Sequence, residues 1–149
     1  MPADPFAPML VAFLLVLIAT LFDLKSREIP DTISVVLLAW AILGKSMGWI
    51  DVPWVSMGIG AVVGFALGAI LFAMGGLGGG DVKLVAALGA AIGVGDLLTT
   101  LFWMAIAGGV LAIVAGLRGE KELAYVPAIA AGLFVTLIVN GEIARVFAA

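Results

Sequence analysis

Apolar runs near residues 6–22, 32–50, 54–74, 82–95, 97–117 and 123–140 fill most of the 149-residue chain, and the breaks between them are too short to hold a soluble domain. A helix needs about 20 apolar residues to cross the hydrocarbon core, and in lipid every backbone polar group must be satisfied internally. Hydrophobic residues make up 64% of the sequence and charged ones 11%, which lies outside soluble usage. The predicted fold is therefore all-α: a polytopic membrane protein with six transmembrane helices, forming one membrane-embedded domain over residues 1–149. Run 82–95 is short for a crossing, so a re-entrant segment is the competing placement.

Basic residues decide between the two. With six crossings, Lys25, Arg27, Lys83, Arg118 and Lys121 share one side, and Lys45 and Arg145 fall on the other. A re-entrant fourth run would move Arg118 and Lys121 across and abolish the bias. Positive charge marks the cytoplasmic side, so six crossings are expected, with both termini outside and Asp23 and Asp81 at the cytoplasmic boundary. Residues 1–8 carry Asp4 and no basic stretch, so the first run is expected to be a retained span and not a cleaved signal peptide. Trp49 and Trp54 flank the turn Ile50-Asp51-Val52-Pro53 and mark the outer interface.

The chain has no cysteine and no histidine, which excludes disulfides, thiolate catalysis and the commonest general base and metal ligands. Nothing in a net charge of −3 supports nucleic-acid binding, and no metal or other cofactor is expected. Two acids stand out. Asp23 ends the first run, and Asp81 follows Gly78-Gly79-Gly80 between strongly apolar stretches. A carboxylate inside a membrane segment costs about 2.5–3.5 kcal/mol, which makes each a functional candidate. The glycine run does not bind phosphate, because Asp81 and Val82 stand where a phosphate loop needs Lys and Ser or Thr. It is expected to act as a flexible turn that delivers Asp81 to the start of a helix. Gly60, Gly64 and Gly68, at four-residue spacing, offer a face on which the fourth run can dock and so aim Asp81.

The segment Gly78-Gly79-Gly80-Asp81-Val82-Lys83-Leu84 resembles the Gly-x-Gly-Asp-x-Lys-Leu signature of the GxGD membrane aspartyl peptidases, in the branch of the type IV prepilin peptidases. Two further stretches carry the same resemblance in order: Asp23-Leu24-Lys25-Ser26-Arg27-Glu28-Ile29-Pro30-Asp31, and Pro127-Ala128-Ile129-Ala130-Ala131-Gly132. It covers nearly the whole chain. Larger members carry paired Cys-x-x-Cys zinc ligands linked to N-methylation; this chain is similar to the compact form found with tight-adherence (Flp) pili, which implies peptidase without methyltransferase activity. Archaeal preflagellin peptidases form the nearest sister group. The resemblance implies Asp23 and Asp81 as catalytic residues and a pilin-like precursor as partner, cut at its short basic leader on the cytoplasmic face of the cell membrane.

Two close carboxylates share a proton, so one can take a proton from water while the other gives one to the scissile carbonyl. Gly78, Gly80, Lys83, Pro30, Glu28 and Asp31 are expected to bind substrate or shape the site. Each has a plainer role as well. Asp31 is placed to cap the second helix and Asp96 to cap an outward turn; Glu28 is a candidate solvated loop charge; Lys83 does not share the face of Asp81 and is free to meet substrate or lipid phosphate. Glu28, Asp31, Glu120 and Glu122 can complement a basic leader. The competing functions are a transporter or channel, in which paired acids relay protons, and a scaffold subunit of a secretion machine, in which they are dispensable.

Overall fold

The computed structural model describes residues 6–26, 28–120 and 125–139. Arg27, Lys121, Glu122 and Arg145, which entered the topology and leader-binding expectations, lie outside the described residues. Among those described, the fold is all-helical, with α1 over Phe6–Ser26, α2 over Asp31–Ser46, α3 over Trp54–Ala73, α4 over Gly79–Arg118 and α5 over Val126–Val139. Of these, α1, α3 and α4 are long and apolar enough to cross a membrane, and α5 is a shorter apolar helix. The chain is thus a multi-pass membrane protein.

Where six runs are expected, five helices appear, because the fourth and fifth runs join in α4. The join is broken at Gly93, whose φ of 80° and ψ of 170° are not helical. An ideal Cβ at Gly93 would also lie 2.7 Å from both Ser56 Oγ and Val52 Cγ1, so glycine is required by conformation and by space. Ser56 Oγ accepts the Val94 N–H at 3.2 Å, which satisfies one of the donors left open where the second arm begins. The two arms fold back on each other. Leu71 and Leu77 line one cavity with Gly108 and Ala112, a proximity that a straight helix, rising about 1.5 Å per residue, forbids.

Glycine sets the spacing between helices. Gly60 packs against Gly89, Gly64 against Val85 and Gly68 against Val82, so α3 runs antiparallel to the first arm of α4 with backbones nearly touching. An ideal Cβ on Gly64 would sit 2.7 Å from the Val85 carbonyl oxygen. In lipid, where apolar burial gives helices little reason to associate, such close packing is the main cohesive term. Gly132 seats α5 on Thr100 and Met104 of the second arm in the same way. The Thr136 hydroxyl gives its one proton to the Gly132 carbonyl at 2.9 Å, so Thr100 must be the donor in the 2.9 Å Thr100–Thr136 bond. Phe13 meets Phe134 with ring centroids 5.9 Å apart, which lays α1 against α5.

These pairings put the end of α1, the starts of α2, α4 and α5 and the end of α3 at one end of the bundle. Lys25, Lys83 and Arg118 lie at that end and Lys45 at the other.

Candidate active site

The turn into α4 is built from glycines with separate duties. Gly75 adopts φ 76° and closes α3: its N–H bonds Phe72 O at 2.9 Å, and the Gly76 N–H bonds Leu71 O at 2.8 Å. That pair is a Schellman motif, which needs a left-handed residue at its centre. Gly78 then caps α4 and donates its N–H to Asp81 Oδ2 at 3.0 Å. The flexible turn expected from the sequence is thus a hydrogen-bonded one. An ideal Cβ on Gly80 would come within 3.3 Å of Ile29 Cβ, whereas one on Gly79 would meet only Phe72 Cε2 at 3.9 Å. The second strict glycine of the pattern, Gly80, is the one that the loop before α2 leans on, and the free position, Gly79, is the one with room.

Asp81 is 7% exposed and Asp23 is 6% exposed. Asp23 comes from the last turns of α1 and its Oδ2 accepts the Val126 N–H at 3.2 Å, at the first residue of α5. Pro127 has no N–H, so the start of α5 offers few donors, and one of them is spent on Asp23. Asp23, bonded to the start of α5, and Asp81, in the first turn of α4, lie at the same end of the bundle. Each accepts a backbone N–H at a helix start, where the helix dipole favours a negative group. Two buried acids from helices remote in sequence are thus each fixed by backbone at this end of the bundle.

Other expected residues take different positions. Pro30 occupies the cap of α2 and offers no side-chain bond, while Asp31 is the first helical residue. Asp31 therefore does not cap α2; it pairs with Lys83, Nζ to Oδ2 at 2.7 Å, across the starts of α2 and α4. At this pair the Lys83 side chain is exposed, whereas Asp81 is buried. Glu28 is exposed, and its carbonyl accepts the Ser26 hydroxyl at 3.2 Å. Asp96 lies within α4 shortly after the break; the cap at the Val94 N–H is Ser56. Among the described residues no cluster of acids suits a metal ion.

Sequence reasoning missed the Val126 N–H, since a backbone donor leaves no mark in composition; the nearby signal was Tyr125, the only tyrosine, directly before Val126-Pro127. It also missed a cavity of about 430 Å³ between α3 and the second arm of α4, lined by Leu71, Leu77, Met104, Gly108 and Tyr125 among others. Leu77 adjoins Gly78 and Tyr125 adjoins Val126, so both acid-holding donors flank this apolar space.

Comparison with known proteins shows the family. The sequence model of the Type IV leader peptidase family matches residues 10–113. A prepilin leader peptidase/N-methyltransferase of Bacillus subtilis is 30% identical over 142 residues, covering 91% of this chain and 57% of that protein. One of the same name from Neisseria gonorrhoeae is 32% identical over 143 residues, covering 91% and 49%. A preflagellin peptidase of Methanocaldococcus jannaschii is 41% identical over 80 residues, covering 51% and 34%. The chain spans about half the length of the first two relatives. No solved structure matches.

Proposed function

Because the chain belongs to the type IV leader peptidase family, we propose that it is a membrane aspartyl endopeptidase that removes the short basic leader from a type IV pilin-like precursor, with Asp23 and Asp81 as its catalytic pair. The observation that carries this is the burial of both carboxylates at one end of the bundle, Asp81 accepting the Gly78 N–H and Asp23 the Val126 N–H.

One carboxylate takes a proton from water as the water oxygen attacks the scissile carbonyl carbon. The other, protonated, gives its proton to the carbonyl oxygen. Collapse of the tetrahedral intermediate breaks the C–N bond, and the leaving amine takes up a proton. The dyad titrates as one unit, so the two roles belong to the pair. No histidine, thiol or metal takes part.

Six membrane passes fit this proposal, the two arms of α4 serving as separate passes joined at Gly93. The end holding Lys25, Lys83, Arg118 and the dyad faces the cytoplasm, and both termini lie on the far side. The precursor enters from the lipid as an apolar helix, its unwound scissile segment reaching the acids. The cavity beside Leu77 and Tyr125 gives the apolar part room, while Glu28 and Glu120 draw the basic leader. Gly78, Gly80 and Pro30 shape the site, and Lys83 holds Asp31. A tight-adherence (Flp) pilus system in the inner membrane is the setting proposed for this activity. Likeness to a preflagellin peptidase supports archaeal preflagellin as a second substrate class, since both precursors join a leader to an apolar helix.

Co-expression with a pilin precursor tests the proposal. Wild type shortens the precursor by its leader, and Asp23→Asn and Asp81→Asn leave it full length; cleavage by either variant would refute the dyad.

A further inference from the structure

A second recess lies on the other side of the first arm of α4. Both α2 and α3 pack on that arm but scarcely on each other, and the gap between them forms a groove of about 350 Å³. Its walls are Val35 and Leu38 of α2 and Ala61 and Phe65 of α3, and its floor is Ala86 and Ala87 of α4. The rim holds Asp31 and Lys83, whose side chains are 63% and 55% exposed. Ser34 also lines it, 7% exposed, and its Oγ has no hydrogen-bond partner among the described residues.

The orphan hydroxyl has a structural cause. Thr20, Ser26, Ser46, Thr99 and Thr136 each donate to the carbonyl four residues back. For Ser34 that carbonyl is Pro30, which lies outside the helix with ψ 129° and accepts the Ile33 N–H instead. A hydroxyl withdrawn from water and left unpaired is costly, so it calls for an acceptor brought by something else.

We propose that this groove binds a zwitterionic phospholipid whose headgroup carries a primary ammonium. Asp31, Ser34 and Leu38 fall at i, i+3 and i+7, a single stripe of α2 running from the membrane edge inward. Along it the chemistry changes from charged to hydroxyl to hydrocarbon, the order met along a phospholipid from headgroup to ester to acyl chain. Lys83 donates to the phosphate, Asp31 accepts from the ammonium, Ser34 donates to an ester carbonyl, and the acyl chain lies against Phe65, Ala86 and Leu38. An exposed ion pair is weak in isolation, so Lys83 and Asp31 lose little by exchanging partners with a headgroup of matching charges. A choline headgroup has no N–H for Asp31, and a glycerol headgroup has no positive charge.

Native mass spectrometry of the purified full chain, offered phosphatidylethanolamine, phosphatidylcholine or phosphatidylglycerol at equal concentration, tests the proposal. Wild type should retain phosphatidylethanolamine about tenfold better than either other lipid, the scale of one charge-assisted hydrogen bond. Asp31→Asn and Ser34→Ala should lower that retention, and Ala86→Phe, which fills the floor, should abolish it. The wild-type comparison needs no variant to fold. Equal retention of the three lipids, or preference for phosphatidylglycerol, would overturn the assignment. So would a photo-crosslinker at Val35 that captures a co-expressed precursor in place of lipid, since the groove would then seat substrate.

Discussion

The Val126 N–H reaches Asp23 Oδ2 at 3.2 Å, joining the start of α5 to the end of α1 across 103 positions of sequence. Through this contact the Pro127-Ala128 stretch adjoins a carboxylate without supplying any side chain to it. Val126→Pro removes the donor at a helix position that tolerates proline. A hydrogen bond to a charged group is worth about 1.5–3 kcal/mol, so the precursor cleavage rate should fall about 10- to 100-fold. Circular dichroism should remain that of the wild type. An unchanged rate would show that Asp23 is positioned by other means.

Adjacent glycines should respond in opposite ways. Gly79→Ala adds a Cβ into ordinary contact with Phe72 and should leave cleavage within about threefold of wild type, with a slight gain in stability from helix propensity. Gly80→Ala forces Ile29 away and should cost about 1–3 kcal/mol, as overpacking does, along with most activity. Thermal melts and cleavage rates of the two proteins check the contrast.

Gly93→Ala should be the most damaging alanine at the break in α4. It places a side chain at φ 80° and pushes it into Ser56 and Val52, so about 1–3 kcal/mol of strain joins a steric conflict. Tm should drop by several degrees, and the Val94 cap should be lost with it. Gly95→Ala, where an added Cβ meets nothing, is the control.

Thr100→Val removes the proton that Thr100 gives to Thr136 but leaves the Thr136–Gly132 bond intact. Interhelical hydrogen bonds in membranes average about 0.6 kcal/mol, so the loss should be near that value and activity unaffected. Reversible unfolding in detergent measures it.

Much of this was legible in the sequence because membrane burial exposes its exceptions. Charges are rare enough that Asp23 and Asp81 stood out, and the spacing of Gly60, Gly64 and Gly68 predicted the docking surface they form. The break at Gly93 was harder to see. A glycine flanked by apolar residues looks the same whether it packs a helix or breaks one, and only its φ and the crowding by Ser56 decide. Asp31 misled because a carboxylate at a helix start serves equally as cap or ion-pair partner, and Lys83, 52 residues away, made the difference. The backbone donors at Gly78 and Val126 carry no side-chain signal at all.

The central claim is that Asp23 and Asp81 work as one site, and rates measured for purified, lipid-reconstituted wild type, Asp23→Asn, Asp81→Asn and the double variant test it most directly. Groups that act as a unit are non-additive, so each single substitution should abolish leader removal about as completely as the pair. Cleavage surviving in either single variant, with losses that multiply in the double, would contradict a shared catalytic dyad.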